Sequence, residues 1–188
     1  KTENADVLTS RCPLSYGQQA LWFLHKGNPE STAYHVAFTA RLRSHVDIPA
    51  LQRAFQALVD RHGSLRTTFP TQDGAPVQEI HTRQTVFFEQ VNAATWSWDE
   101  LKEQVGEAYT HPFNLETGPL MRVHVFTRSE QDHVLLITIH HIVIDIWTVW
   151  LILGELRELY AAEKTGRRVS LPSLAVSYAD YVRKQIET

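Results

Sequence analysis

Cysteine is almost missing from this chain. Cys12 is the single one in 188 residues, so no intrachain disulfide can form and the composition fits a reducing compartment. A cytoplasmic home is the default expectation. Charge of one sign is lacking as well: 18 Lys and Arg face 21 Asp and Glu, for a formal net charge of -3 and a pI near 6.4. That balance leaves no electrostatic footprint for nucleic acid or an anionic membrane, and neither is expected as a partner. Long apolar runs are absent too, since none approaches the roughly 18 residues of a membrane span. Lys1 to Asp6 is polar, with no apolar core of a signal peptide. No repeat, low-complexity tract or linker interrupts the chain, so 43% hydrophobic content implies one packed unit over residues 1–188.

What is present alternates between helical and extended periods, which implies an α/β fold with a mixed β-sheet flanked by α-helices. Ser15 and Gln18 form a capping-box pattern that opens a short helix near Tyr16, and Gly27, Asn28 and Pro29 stop it. From Tyr34 to Leu42 the pattern alternates as a half-buried strand, with Val36 and Phe38 inward and His35, Thr39 and Arg41 outward. Asp47 and Pro49 begin a second helix whose stripe is Leu51, Ala54, Phe55, Leu58 and Val59. Asp73-Gly74 marks a turn, and Val77 to His81 and Thr85 to Val91 read as short strands. Ser97 and Glu100 box the start of a third helix, and an alternating strand runs from Leu120 to Thr127.

His133 to Ile139 differs, being apolar on both faces, as the centre of a sheet covered on both sides requires. Its carboxyl end delivers His140 and His141. A long helix follows from Trp147, with Val149, Ile152, Leu153, Leu156, Leu159 and Tyr160 inward and Glu155, Arg157, Glu158 and Glu163 largely elsewhere. Thr165 to Pro172 reads as a loop and Ser177 to Lys184 as a terminal helix.

Adjacent residues on a strand point to opposite faces, so His140 and His141 cannot both serve one site unless the backbone turns between them. A lone histidine at a strand end is more often a hydrogen-bonded core residue than a catalyst. Metal binding is not expected, because adjacent strand histidines make poor joint ligands and no His-Glu-x-x-His helix exists. Trp22, Trp147 and Trp150 read as core or interface aromatics rather than substrate stackers.

His140-His141-Ile142-Val143-Ile144-Asp145 resembles the His-His-x-x-x-Asp-Gly signature of condensation domains from nonribosomal peptide synthetases. Four further segments match that family in order. They are Leu14 to Trp22, Arg61-His62-Gly63-Ser64-Leu65-Arg66-Thr67-Thr68-Phe69, Pro112 to Leu120, and Tyr178-Ala179-Asp180-Tyr181. The resemblance implies a chloramphenicol-acetyltransferase-like fold used twice in a V-shaped domain, this chain being the N-terminal lobe and the C-terminal lobe lying outside it.

The resemblance also implies partners and chemistry. Donor and acceptor carrier domains bring acyl and aminoacyl groups as phosphopantetheine thioesters, no cofactor binds the lobe directly, and the amine attacks the thioester. By the same resemblance His141 assists the amine, His140 is structural, and Asp145 pairs with an arginine, Arg66 first and Arg61 second; as a residue before a helix, Asp145 also reads as a cap of the helix that starts near Trp147. The lobe alone is expected to be inert.

Two positions depart from the family pattern. Gly63 replaces a glutamate, and Ile146 stands where the family has glycine, so Ile146 and Trp147 are candidates for lining and crowding the acceptor channel, unless the Ile146 side chain turns into the sheet-to-helix core alongside Val149. A condensation-like platform without chemistry is therefore an alternative. A free coenzyme A-dependent acyltransferase is another, opposed by the long segment from Trp147 to Thr188 after the histidines.

Overall fold

The computed structural model describes residues 8–169 and 171–174; the Tyr178 motif and the terminal helix expected over Ser177 to Lys184 lie outside them. Elements follow the expected order: β1 (Leu8–Cys12), α1 (Tyr16–Gly27), β2 (His35–Leu42), α2 (Ile48–Arg61), β3 (Thr67–Thr68), β4 (Thr71–Gln72), β5 (Ala75–Pro76), β6 (Gln78–His81), β7 (Phe87–Asn92), α3 (Trp98–Thr110), β8 (Met121–Ser129), β9 (Asp132–His140) and α4 (Ile146–Thr165).

The helix starts form where the polar signals stand. Ser15 Oγ accepts from the Gln18 amide while Gln18 Oε1 accepts from the Ser15 amide, and Ser97 with Glu100 repeats the exchange. Asp47 caps α2 through Ala50, and Gly166 closes α4 in the left-handed region at φ 67°. Asp73 (φ 51°) and Gly74 (φ 81°) make the turn between β4 and β5.

The larger sheet orders as β2-β9-β8-β7 among the described residues, with β9 antiparallel to both neighbours and β7 parallel to β8. β9 therefore lies inside the sheet, which explains its apolar reading on both faces. One face carries Leu135, Ile137 and Ile139 against α2 and α4, where Phe55, Leu58, Val149 and Ile152 complete the main core. The other carries Leu136 and, on β8, Phe126 against Leu101 of α3. Burying a side chain of this size contributes about 1.5–3 kcal/mol each.

Three local expectations change. β1 forms where no strand is expected, and it pairs with β6 in the smaller sheet β1-β6-β3. His35, placed outward by alternation, is buried, because β2 is an edge strand whose start is covered by Tyr109 and Phe113.

Glu155, assigned to the polar face of α4, is 6% exposed at the seam with α2. There its carboxylate lies 2.6 Å from His62 Nε2 and 3.1 Å from Arg61 Nε. Its partners hold the carboxylate in a seam that period alone does not reveal. Glu155→Ala is expected to cost about 3 kcal/mol in equilibrium unfolding, because it leaves Arg61 and His62 without their shared acceptor. A loss under about 1 kcal/mol would mean that water replaces the carboxylate at no cost.

Candidate active site

The candidate site is built where β9 stops being a strand. The His140 amide donates to the Leu120 carbonyl at 3.0 Å and the His141 amide to the Tyr34 carbonyl at 2.9 Å, so the strand end is fastened on both sides. A short 3-10 turn over His141–Val143 then changes the direction of the chain. Inside it, His140 Nδ1 accepts from the Ile142 amide at 3.1 Å. From the opposite side Gln18 Nε2 donates to the Ile142 carbonyl at 3.3 Å and to Gln78 Oε1 at 3.2 Å. Gln18 was legible as a helix cap but not as an anchor of the turn, since that contact spans 124 residues.

The two histidines part as the strand geometry requires. His140 is 1% exposed and faces the α3 side of the sheet, whereas His141 is exposed at the turn. Around His140 stand Phe113, His25 and His35, with ring centroids at 6.0, 5.8 and 6.2 Å. Burial, reinforced by His25, His35 and His141, pushes the His140 imidazole down to about 3. His140 is thus neutral at physiological pH, and a ring whose Nδ1 accepts carries its proton on Nε2. Burial also lowers His25 and His35, although the Tyr109 carbonyl bound by His35 opposes the shift there.

The pairing of Asp145 with Arg66 or Arg61 is not what the structure shows. Asp145 is exposed, and its Oδ1 accepts at 2.7 Å from both the amide and the hydroxyl of Thr148, capping α4. Those bonds hold its carboxyl below the usual range. An unpaired amide at a helix start is the nearest donor, and it claims the carboxylate. Arg66 instead donates to the carbonyls of Val59, at 2.9 Å, and His81. Arg61 serves Glu155 and the Pro172 carbonyl.

Ile146 opens α4, and the expectation that its side chain lines a channel lies outside what is described. Trp147 and Trp150 are 80% and 67% exposed, which removes both from this chain's core; Trp22 alone of the three tryptophans packs inside it, donating Nε1–H to the Phe69 carbonyl. Among the described residues no set of three or more His, Cys, Asp or Glu could hold a metal ion, and no helix is long and apolar enough to cross a membrane.

An α/β fold with a main-chain-anchored, exposed imidazole at the carboxyl end of a central strand is suited to proton handling beside a bound amine or hydroxyl. The profile of the Condensation domain family matches residues 9–188, and the chain belongs to that family. Chondramide synthase cmdD of Chondromyces crocatus is 38% identical over 193 residues, covering 98% of this chain and 5% of the relative. The X-domain of teicoplanin biosynthesis, solved with OxyB, superposes with a TM-score of 0.86 at 29% identity over 100% of this chain and 40% of that one. The starter condensation domain of rhizomide synthetase RzmA superposes at 0.84 with 19% identity, covering 95% of this chain and 45% of that one, a likeness of fold alone. The fold is chloramphenicol-acetyltransferase-like, and the chain spans under half of the solved domains it matches.

Two outcomes test this geometry. Asp145→Ala is expected to cost about 1 kcal/mol, as loss of a helix cap does, and Arg66→Ala should add to it independently within about 0.5 kcal/mol in thermal unfolding of the double variant. A coupling of several kcal/mol would restore the ion pair. The second concerns acid: below pH 6.5 the unfolded chain binds a proton that folded His140 refuses until about pH 3, so stability falls on acidification across that window. The slope should reach about 1.4 kcal/mol per pH unit per histidine, and His140→Phe should flatten it in urea melts between pH 7 and 4.5.

Proposed function

We propose that this chain is the N-terminal lobe of a nonribosomal peptide synthetase condensation domain that joins a carrier-bound acyl or peptidyl thioester to a carrier-bound aminoacyl group. The observation that carries this reading is the division of labour between the histidines: His141 is presented to solvent on a fastened turn while His140 is locked inside. In the reaction the acceptor amine attacks the thioester carbonyl, the C–N bond forms, and the C–S bond breaks to leave the thiol of the donor carrier. An α-amine with a pKa near ~8 is largely protonated at neutral pH; its neutral fraction attacks, and the adduct is a zwitterionic tetrahedral centre whose nitrogen carries the proton to be removed. His141 accepts the amine proton or stabilises that charge and returns the proton to the departing thiolate.

The carriers' phosphopantetheine arms are part of the substrates here, so no group resident in the lobe is required. The remaining wall of the site comes from the C-terminal lobe. Its expected contact is the apolar outer face of α4, where Trp147, Trp150 and Leu151 stand exposed. The isolated lobe is inert on this reading because one wall of its channel is lacking.

A condensation-like platform without chemistry is the second reading. It is favoured by Ile146 in the glycine position and by the likeness to the X-domain, which was solved bound to OxyB. Single-turnover amide formation between loaded carriers, catalysed by the complete domain, separates the two. His141→Ala is expected to slow it by about 10²-fold or more, while His140→Ala mainly lowers stability. Equal rates for His141→Ala and the wild type would remove His141 from the mechanism and leave the platform.

A further inference from the structure

We infer that His25 and His35 are positioning residues for His141: they hold the ring of His140 so that its hydrogen bond to Ile142 keeps the turn bearing His141 in one place. The inference rests on the proposed role of His141, and its geometry is complete without it. His140 reaches the turn through one atom, Nδ1, which accepts from the Ile142 amide at 3.1 Å. A ring rotation that moves Nδ1 leaves the buried Ile142 amide without its partner and loosens the turn, which still keeps its bonds to Tyr34 and Gln18. The orientation of that ring is therefore the quantity that matters.

Three rings from three separate elements fix it. His25, in the last turn of α1, meets the ring at 89° and 5.8 Å; Phe113, before β8, meets it at 88° and 6.0 Å; His35, on β2, meets it at 66° and 6.2 Å. Edge-to-face contacts of this kind define direction as well as distance. His35 is itself pinned, because its Nδ1–H donates to the Tyr109 carbonyl at 3.0 Å and its ring stands 4.8 Å from Phe113. Arg122 braces Phe113 in turn, lying 4.0 Å from the ring centroid and donating to the carbonyls of His111 and Pro112.

His25 is the wall that faces water. It lines a cavity of about 350 Å³ together with Trp22, Lys26, Phe113, Asn114 and Glu116, and His140 lies behind it. The charged and titratable neighbours of the cage are Lys26 and Glu116 on the His25 side, Arg122 and His111 on the His35 side, and His141 beyond His140. Lys26 and Glu116 neutralise one another at 2.8 Å across the cavity rim. Removing the His25 ring opens a path for water to His140 and a volume into which its ring can turn.

Reactive geometry tolerates little of this, since a displacement of about 1 Å can cost on the order of 10²-fold. In the intact synthetase, His25→Ala is expected to lower kcat for amide formation about ten-fold with KM for the loaded acceptor carrier unchanged. Hydrogen exchange in the peptide spanning residues 140–146 should speed up about ten-fold while α2 keeps its protection, which separates a loosened turn from general destabilisation. His25→Phe keeps an edge-on ring and should restore both readouts; His35→Ala gives the same test from the other wall if His25→Ala fails to fold. Unchanged exchange and kcat in His25→Ala, or a His25→Phe variant as impaired as His25→Ala, would overturn the inference. If the wild type forms no amide, faster exchange in His25→Ala still supports the positioning of the turn, and the failure belongs to the catalytic reading.

Discussion

The hydrogen bond from the Ile142 amide to His140 Nδ1 is the interaction on which the site depends. It converts the end of a central strand into a turn with a fixed exit, and that turn carries His141. The bond requires a neutral imidazole, and burial supplies one by making the charged form of His140 unfavourable across the physiological range. Main-chain bonds from His140 to Leu120 and from His141 to Tyr34 then remove the remaining freedom on either side. A buried residue thus sets the position of an exposed one, and the two adjacent histidines are parts of a single device.

The sheet explains why the device stands where it does. β9 lies between β2 and β8 and is packed by α2 and α4 on one face and by α3 on the other, so its direction is determined by the core. The strand ends at His140, His141 comes to the surface, and Ile142, Val143 and Ile144 return at once to the main core. α4 then returns along the sheet with an asymmetry: Val149, Ile152, Leu156 and Leu159 pack inward while Trp147 and Trp150 stay exposed.

Charge placement follows the nearest competent partner. Asp145 had an arginine as its expected mate, yet the amide of Thr148 is three residues away and already aligned by the start of a helix. Glu155 had solvent as its expected surrounding, and it became the shared acceptor of Arg61 and His62 instead. In both cases the decisive geometry is local to a helix end or a helix seam. The Arg61-His62 pair of the second motif thereby acquires a physical task, which is to tie α4 to α2.

The sequence by itself determined the helix starts, because capping side chains at Ser15, Asp47 and Ser97 act within three residues of the amides they serve. It determined the central strand, because two-faced apolarity has few other meanings, and it determined the division between His140 and His141, because strand neighbours must point apart. The family resemblance was legible for the same reason: its motifs are contiguous in the chain. Only the tertiary structure decided what depends on distant segments meeting. The cage of His25, His35 and Phe113 around His140 joins α1, β2 and the approach to β8; Gln18 reaches Ile142 across 124 residues; and Glu155 is buried because α2 lies against α4. Periodicity reports which face of an element is covered on average, and it carries no record of which residue on another element does the covering.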